Sequence, residues 1–199
     1  PTIGGVCLNV GCIPSKALLH TAKVITDAED TGNHGVSFTK PNIDLEKLRD
    51  WKSNRVVKKL TTGLSQMAKQ RGVQIIEGYG EFISSNQISV KLIDGSEKTI
   101  GFKSAIIAAG SQSSKIPGMP NDDRIMDSTG ALELQDIPKK LLIIGGGIIG
   151  LEMGTVYDAM GSDVSVVELT DGLIQGCDRD IVRPLHKRME KRFENIWLG

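Results

Sequence analysis

The strongest constraint on the fold is a glycine-rich turn between a strand and a helix. Residues 141–144 are all apolar and predict a buried strand, and residues 151–160 predict a helix. Between the two segments lie Gly145, Gly146, Gly147, Ile148, Ile149 and Gly150. They form the pattern G-x-G-x-x-G in the strand–turn–helix context that dinucleotide binding requires. The pattern predicts a Rossmann-like α/β fold in this part of the chain.

Each glycine of this pattern has a physical task in nucleotide binding. Gly145 permits the tight turn, Gly147 lets a pyrophosphate approach the main chain, and Gly150 lets helix and strand pack closely. The phosphates bind at the helix N-terminus. A second strand over residues 163–167 ends in Glu168, a carboxylate that accepts hydrogen bonds from the adenosine ribose and repels a 2′-phosphate. The segment therefore predicts NAD(H) rather than NADP(H), and a plain glycine-rich turn is the alternative.

Two cysteines near the start of the chain form a second pattern. Cys7 and Cys12 are separated by four residues that include Gly11, and Gly4 and Gly5 precede them. On an undistorted helix their Cα atoms would be about 8 Å apart, whereas a disulfide spans about 4.4 to 6.8 Å. A bridge therefore requires a loop or a distorted helix. Thiols beside glycines at the start of a helix favour redox chemistry, and two buried, reduced cysteines are the alternative.

A helix is predicted over residues 15–30, directly after this pair. Pro14 suits its first turn, because the fixed φ of proline matches a helix start. The positive end of the helix lies near Cys12. Its field, together with the charge of Lys16, predicts a lowered thiol pKa.

The composition is that of a soluble intracellular protein with one large or two small domains. The chain has 199 residues with 24 basic and 24 acidic side chains, so its zero net charge gives no reason to expect a nucleic-acid partner. No apolar stretch is long enough to span a membrane and no signal peptide opens the chain, which predicts a cytoplasmic location. The histidines lack ligand spacing, so no metal site is expected, and Cys177 is interpreted as a free thiol.

The remaining segments predict further helices and strands. A long amphipathic helix is predicted over residues 43–70, and a short extended piece over residues 36–38. Strands are predicted over residues 73–77, 79–83, 87–92, 98–102 and 104–109. The turn signal Asp94-Gly95 makes part of this region a small antiparallel meander. The last strand is continuously apolar, as a strand buried on both faces would be. A polar stretch over residues 112–138, with a short helix at 128–134, is interpreted as a link between domains.

The run from residue 4 to residue 16 resembles the redox-active disulfide signature of the flavoprotein disulfide reductases, class I of the pyridine nucleotide-disulfide oxidoreductases. Together with residues 145–154 and Val166-Val167-Glu168, it most resembles the dihydrolipoamide dehydrogenase family, over essentially the whole chain. The resemblance implies an α/β fold with two Rossmann-like three-layer domains, both incomplete, and a small antiparallel β meander. Residues 1–136 would form the FAD-binding domain and residues 137–199 the NAD-binding domain.

The resemblance also implies a two-electron relay from dihydrolipoamide through a disulfide of Cys7 and Cys12 to FAD and then NAD⁺. Cys7 would exchange with the substrate dithiol, and Cys12 would face the flavin. Lys16 would lie near the flavin N5 and pair with Glu152. Glu152 is also expected to contact NAD. Further FAD contacts are expected from Gly4, Gly5, Val6, Cys7, Gly80, Ala109, Gly110 and Ser111.

The implied partners are the lipoyl domain of a 2-oxo acid dehydrogenase complex and, in the full-length family, a second subunit in a homodimer. Family members carry an FAD-binding G-x-G-x-x-G near the N-terminus and a His-Glu pair in a C-terminal interface domain, and neither is found in this sequence. The chain is therefore expected to be a fragment with little or no activity alone. Ala109 stands where many members have threonine, a change that keeps the turn small.

Two alternatives remain open. Glutathione and mercuric reductases share the cysteine signature, but they usually bind NADPH through basic residues after the second strand. Here that position is acidic, with Glu168 followed by Leu169, Thr170 and Asp171. The other alternative is a non-catalytic dinucleotide-binding module in which Cys7 and Cys12 are structural or inert.

Overall fold

The computed structural model of the protein describes residues 2–199. Its helices are α1 (Gly5–Val10), α2 (Cys12–Asp30), α3 (Leu45–Asp50), α4 (Lys58–Gln70), α5 (Ser128–Glu133), α6 (Ile148–Ala159) and α7 (Arg179–Met189). A 3-10 helix, Thr31–His34, follows α2, and a π-helical segment, Trp51–Val57, joins α3 to α4. Its strands are β1 (Gly78–Ser84), β2 (Gln87–Leu92), β3 (Glu97–Gly101), β4 (Lys140–Ile144), β5 (Asp163–Glu168) and β6 (Asn195–Leu198).

The strands form two sheets of opposite kind. β1, β2 and β3 form an antiparallel meander, and the turn between β2 and β3 contains Gly95 at a φ of 85°. β4, β5 and β6 form a parallel sheet in that order, with Val166 between Ile143 and Ile196. Parallel neighbours require a crossover, which α6 and α7 supply. The mixed α/β fold with a meander is as predicted, whereas the division of the chain after residue 136 stays a prediction.

Helix α6 lies at the centre of the core. Tyr157 is 1% exposed, and Gly154 packs so closely that a Cβ there would lie 2.8 Å from the Phe193 ring. On α2, Leu18 and Ala22 are fully buried in the same cluster. The core therefore joins α2, which begins at Cys12, to α6, which follows the glycine-rich turn.

Charged side chains add links between these helices. The Arg192 guanidinium donates to Asp158 on α6 at 2.5 Å, and lies 3.8 Å from Glu29 on α2. Lys52, in the π-helical segment, is buried and donates to the carbonyl of Leu132. Its burial lowers the pKa of the Lys52 ammonium, because desolvation disfavours the charged form. Arg192 thus links the segment before β6 to α6 and α2, and Lys52 links the π-helical segment to α5, which precedes β4.

The substitution Tyr157→Phe is expected to lower the free energy of unfolding by about 1 to 3 kcal/mol, because it leaves a buried carbonyl unpaired. The Tyr157 hydroxyl donates to the Ala131 carbonyl at 3.0 Å, and burial raises the pKa of Tyr157 to about 12. Urea unfolding monitored by circular dichroism measures the change. Tyr79, 89% exposed, provides the matched control Tyr79→Phe, for which a change within about 0.5 kcal/mol is expected. Equal stability of the two variants would contradict the prediction.

Some predicted elements are wrong. Residues 73–77 and 104–109, predicted as strands, pair with no strand in the described part of the chain, and Ile106 is 94% exposed. Residues 36–38 lie outside any helix or strand, and their extended conformation stays a prediction. A continuously apolar strand forms only when neighbouring strands pair with it, and no described strand pairs with residues 104–109. The long helix predicted over residues 43–70 starts at Leu45 and is interrupted by the π-helical segment. A π-helical segment changes which side chains face the core, and in this one the side chain of Lys52 turns inward.

Candidate functional site

The two cysteines near the start of the chain lie on different helices. Cys7 is in α1 and Cys12 begins α2, with Gly11 between them in an irregular conformation of φ −141° and ψ −120°. A Cβ on Gly11 would lie 3.0 Å from the Val6 carbonyl oxygen and 3.1 Å from the Cα of Cys7. The α2 helix starts with a hydrogen bond from the Ser15 N–H to the Gly11 carbonyl, at 3.1 Å. The helix is therefore broken between the cysteines, as the geometric argument requires.

Both of these thiols are exposed and free. A hydrogen bond with the Cys12 side chain raises the pKa of the Cys7 thiol, and the charge of Lys16 opposes this with a smaller effect. The predicted lowering of a thiol pKa is therefore wrong for Cys7, because the adjacent thiol acts more strongly than a lysine at this exposed site. Cys7 and Cys12 are therefore neighbours on either side of the break, and their bridging stays a prediction.

Glu152 connects the cysteine-bearing helix to the glycine-rich turn. It lies on α6, two residues after Gly150. One carboxylate oxygen accepts a hydrogen bond from the Ser15 hydroxyl at 2.5 Å, and the other lies 4.0 Å from the Lys16 ammonium. The structure thus brings Lys16 and Glu152 together, as the resemblance implies. Ser15 was not among the predicted site residues, although its position three residues after Cys12 places both on one helix face.

The glycine-rich turn joins β4 to α6. Gly145 has a φ of 109°, which other residues rarely adopt. A Cβ on Gly147 would meet nothing within 4 Å, and α6 begins there without a side-chain cap. A Cβ on Gly150 would strike the Gly145 carbonyl oxygen and lie 3.0 Å from Ile143. The turn therefore offers open space and unpaired N–H groups, which suit a pyrophosphate. Of the other predicted contacts in this turn, Ile148 and Ile149 are exposed, whereas Gly146 is buried against Leu173 and Glu168.

Glu168 ends β5 beside this turn. One carboxylate oxygen accepts from the Gly146 N–H at 2.7 Å, and the other accepts from the Thr170 N–H at 2.9 Å and its hydroxyl at 2.8 Å. These bonds, the Thr170 N–H first, hold the pKa of Glu168 below its ordinary value. The carboxylate is therefore ionised at neutral pH and held beside the glycine-rich turn, and its contact with a ribose stays a prediction. Thr170 was missed, although a hydroxyl two residues after a carboxylate is a known local turn signal.

The depressed pKa of Glu168 predicts acid sensitivity of the fold. Such a group stabilises the folded state above its unfolded pKa of about 4.3, and this contribution is lost as the pH falls through the lower folded value. We expect the free energy of unfolding to fall less between about pH 5 and pH 3 in Glu168→Gln than in the unsubstituted chain. Urea titrations at several pH values measure this. Glu97→Gln, on exposed β3, is the matched control, and equal slopes in Glu168→Gln and the unsubstituted chain would contradict the expectation.

The predicted FAD contacts lie in two neighbouring places. A Cβ on Gly110, whose φ is 79°, would lie 3.4 Å from the Val6 side chain, so the start of α1 adjoins the turn at residues 109–111. Gly80 and Ala109 line an apolar groove between the meander and residues 105–109. The remaining predicted contacts, Gly4, Gly5 and Ser111, are partly or fully exposed beside these positions in the sequence. An open apolar groove beside glycine backbone fits a flat aromatic ring, and the FAD contacts stay predictions.

Residues 2–199 offer neither a metal-binding cluster nor a membrane-spanning helix. No three His, Cys, Asp or Glu side chains in this range are grouped so that they could hold a metal ion. Within the same range, no helix combines the length and the apolar character needed to cross a bilayer.

Fold and site together define a class: an α/β dinucleotide-binding protein with a cysteine pair, one member of which begins a helix that packs against the helix after the glycine-rich turn. The profile of the pyridine nucleotide-disulphide oxidoreductases matches residues 2–198. The chain belongs to this family.

Individual relatives agree with the family. The chain is 54% identical over 194 residues to the dihydrolipoyl dehydrogenase of Vibrio parahaemolyticus, covering 97% of this chain and 40% of that protein. It is 43% identical to the mitochondrial dihydrolipoyl dehydrogenase 1 of Arabidopsis thaliana, covering 96% and 38%. Among solved structures, a cysteine mutant of the HOCl-induced flavoprotein disulfide reductase RclA from Escherichia coli, in its Cu(II) complex, has a TM-score of 0.76 at 27% identity, covering 98% and 41%. The chain thus spans about 40% of the length of the curated relatives it matches.

Proposed function

We propose that this chain is the FAD- and NAD-binding part of a dihydrolipoyl dehydrogenase, which oxidises protein-bound dihydrolipoamide to lipoamide. One observation carries the proposal: the helix that begins at Cys12 packs against α6, and Glu152 of α6 accepts a hydrogen bond from Ser15 in the first turn of that helix. The thiol pair and the nucleotide turn therefore belong to one packed unit. The substrate in this proposal is taken from the relatives, which are named dihydrolipoyl dehydrogenases.

The proposed reaction moves two electrons from the substrate dithiol to NAD⁺. One substrate sulfur attacks Cys7 in the disulfide of Cys7 and Cys12, and the second substrate sulfur then displaces Cys7, which leaves lipoamide and two protein thiols. FAD, when bound, supplies the two-electron transfer between these thiols and the nicotinamide. Overall, dihydrolipoamide and NAD⁺ give lipoamide, NADH and one proton. The exposure of both cysteines suits attack by a bulky lipoyl group.

The residues of the second half bind and orient the nucleotide in this proposal. The open backbone at Gly147 receives the pyrophosphate, and the fixed carboxylate of Glu168 accepts hydrogen bonds from the adenosine ribose. Because the carboxylate is ionised, it repels a 2′-phosphate. NAD(H) is therefore the proposed coenzyme.

The proposed partners follow from the proposed substrate. They are the lipoyl domain of a 2-oxo acid dehydrogenase complex and a second subunit in a homodimer, with a cytoplasmic location. The 199 residues alone are expected to be inactive, because the FAD glycine motif and the His-Glu pair that the resemblance implies are not in this sequence.

The test uses the protein expressed from the complete reading frame that encodes this chain, loaded with FAD. We expect NADH to form from dihydrolipoamide and NAD⁺, and NADP⁺ to be reduced at least about tenfold more slowly. Efficient reduction of glutathione disulfide by NADPH would favour the glutathione-reductase alternative. Binding of NADH without any change in the number of free thiols would favour the non-catalytic module.

A further inference from the structure

Ser15 is the residue through which the cysteine-bearing helix contacts Glu152 most closely. Its side chain is buried, with 4% of the residue exposed, and its hydroxyl donates to a Glu152 oxygen at 2.5 Å. Its N–H donates to the Gly11 carbonyl at 3.1 Å, which is the first hydrogen bond of α2. One residue therefore closes the start of α2 and attaches that start to α6.

Lys16 holds Glu152 less firmly than Ser15 does. Its ammonium lies 4.0 Å from the carboxylate, and 66% of its side chain is exposed. A long exposed side chain at this distance is weakly restrained, because water screens the charges and many rotamers remain open. A short buried hydroxyl bonded to a carboxylate restrains both partners. The geometry of Glu152 is thus set by the serine, which leaves the lysine ammonium free to turn toward a bound group.

We propose that Ser15 is a positioning residue, whose hydroxyl fixes Glu152 and thereby keeps the thiol pair in register with the nucleotide-binding helix during electron transfer. The inference rests on the proposed function, since it needs electrons to pass between the nicotinamide and the cysteines. Ser15 itself touches neither thiol through a side-chain bond. It acts through Glu152.

The experiment follows the appearance of protein thiols rather than turnover alone. The protein from the complete reading frame, oxidised and loaded with FAD, is mixed anaerobically with NADH, quenched with N-ethylmaleimide at set times, and analysed for alkylation of Cys7 and Cys12 by mass spectrometry. In this half-reaction, NADH and a proton reduce the disulfide to two thiols. We expect Ser15→Ala to slow it about tenfold, with an unchanged NADH concentration for half-maximal rate.

Variants of the same contact make the test specific. Ser15→Thr keeps a hydroxyl and is expected to recover most of the rate, and Ser15→Ala is expected to have no further effect once Glu152→Gln is present. Thr26→Val is the matched control on α2, because Thr26 is 5% exposed but its hydroxyl bonds only to the carbonyl of Ala22, at 3.0 Å. Its rate is expected to equal that of the unsubstituted protein.

The outcomes separate the two proposals. If the unsubstituted protein gains no thiols from NADH, the proposed function fails and the role of Ser15 fails with it. If the unsubstituted protein is reduced but Ser15→Ala is reduced equally fast, only the role of Ser15 is overturned. An equal slowing by Thr26→Val, or independent effects of Ser15→Ala and Glu152→Gln, also overturns it, because the loss then reflects general destabilisation of α2.

Discussion

Replacement of Cys12 by serine in the complete, FAD-loaded protein is expected to reduce NAD-linked oxidation of dihydrolipoamide by at least about a thousandfold. A serine oxygen forms no bridge with Cys7, so the electron pair of the substrate has no acceptor on the protein. No other residue can take the place of Cys12, because Cys12 begins α2 directly after Gly11, and Gly11 lies close to Cys7. Absorbance of NADH at saturating dihydrolipoamide measures the loss, and Cys7→Ser is expected to behave alike.

Cys177 provides the control for this experiment. It is also an exposed free thiol, but it lies in the loop before α7, where its carbonyl accepts hydrogen bonds from Arg179. Cys177→Ser is expected to keep at least about half of the activity, as surface substitutions usually do. A Cys12→Ser variant with a tenth or more of the original rate, or an equal loss in Cys177→Ser, would exclude the proposed dithiol role.

The second large effect is expected from Gly150→Ala, which should weaken NADH binding about a hundredfold by displacing the glycine-rich turn. The new Cβ would strike the Gly145 carbonyl oxygen and press on Ile143 of β4. Because one contact is with backbone, the turn or the helix must move, and overpacking of this kind costs about 1 to 3 kcal/mol of stability. Isothermal titration with NADH and urea unfolding measure the two effects.

Gly63→Ala is the matched control for Gly150→Ala. Gly63 lies in α4, and a Cβ there would meet nothing within 4 Å. Alanine is the better helix former by about 0.8 to 1.0 kcal/mol, so this variant is expected to be more stable and to bind NADH unchanged. If both variants bind NADH equally well, the close packing at Gly150 is not required for the nucleotide site.

The elements that local patterns determine were predicted well. The strand over residues 141–144, the glycine-rich turn and the strand that ends in Glu168 all lie where the sequence indicates, because short apolar runs and a glycine pattern mark them locally. The same holds for β2, whose bounds agree with the prediction, and for the hairpin turn at Gly95. The break at Gly11 also followed from local geometry, since an unbroken helix keeps the cysteines too far apart.

The features that depend on distant partners were missed. Ser15 and Glu152 are 137 residues apart in sequence, and no local pattern reports that a serine hydroxyl meets that carboxylate. The raised pKa of Cys7 depends on how closely the Cys12 side chain approaches across the break, which spacing alone leaves open. Residues 104–109 were predicted as a strand from their apolar character, but a strand exists only through pairing, and no described strand pairs with these residues.

The break at Gly11 confines the irregular backbone of the cysteine region to one residue. Cys7 and Cys12 belong to separate helices joined by that glycine, so the departure from helical geometry that the pair requires falls between the helices. The helix that carries Cys12 is therefore regular from its first residue and packs on α6 without distortion at its start.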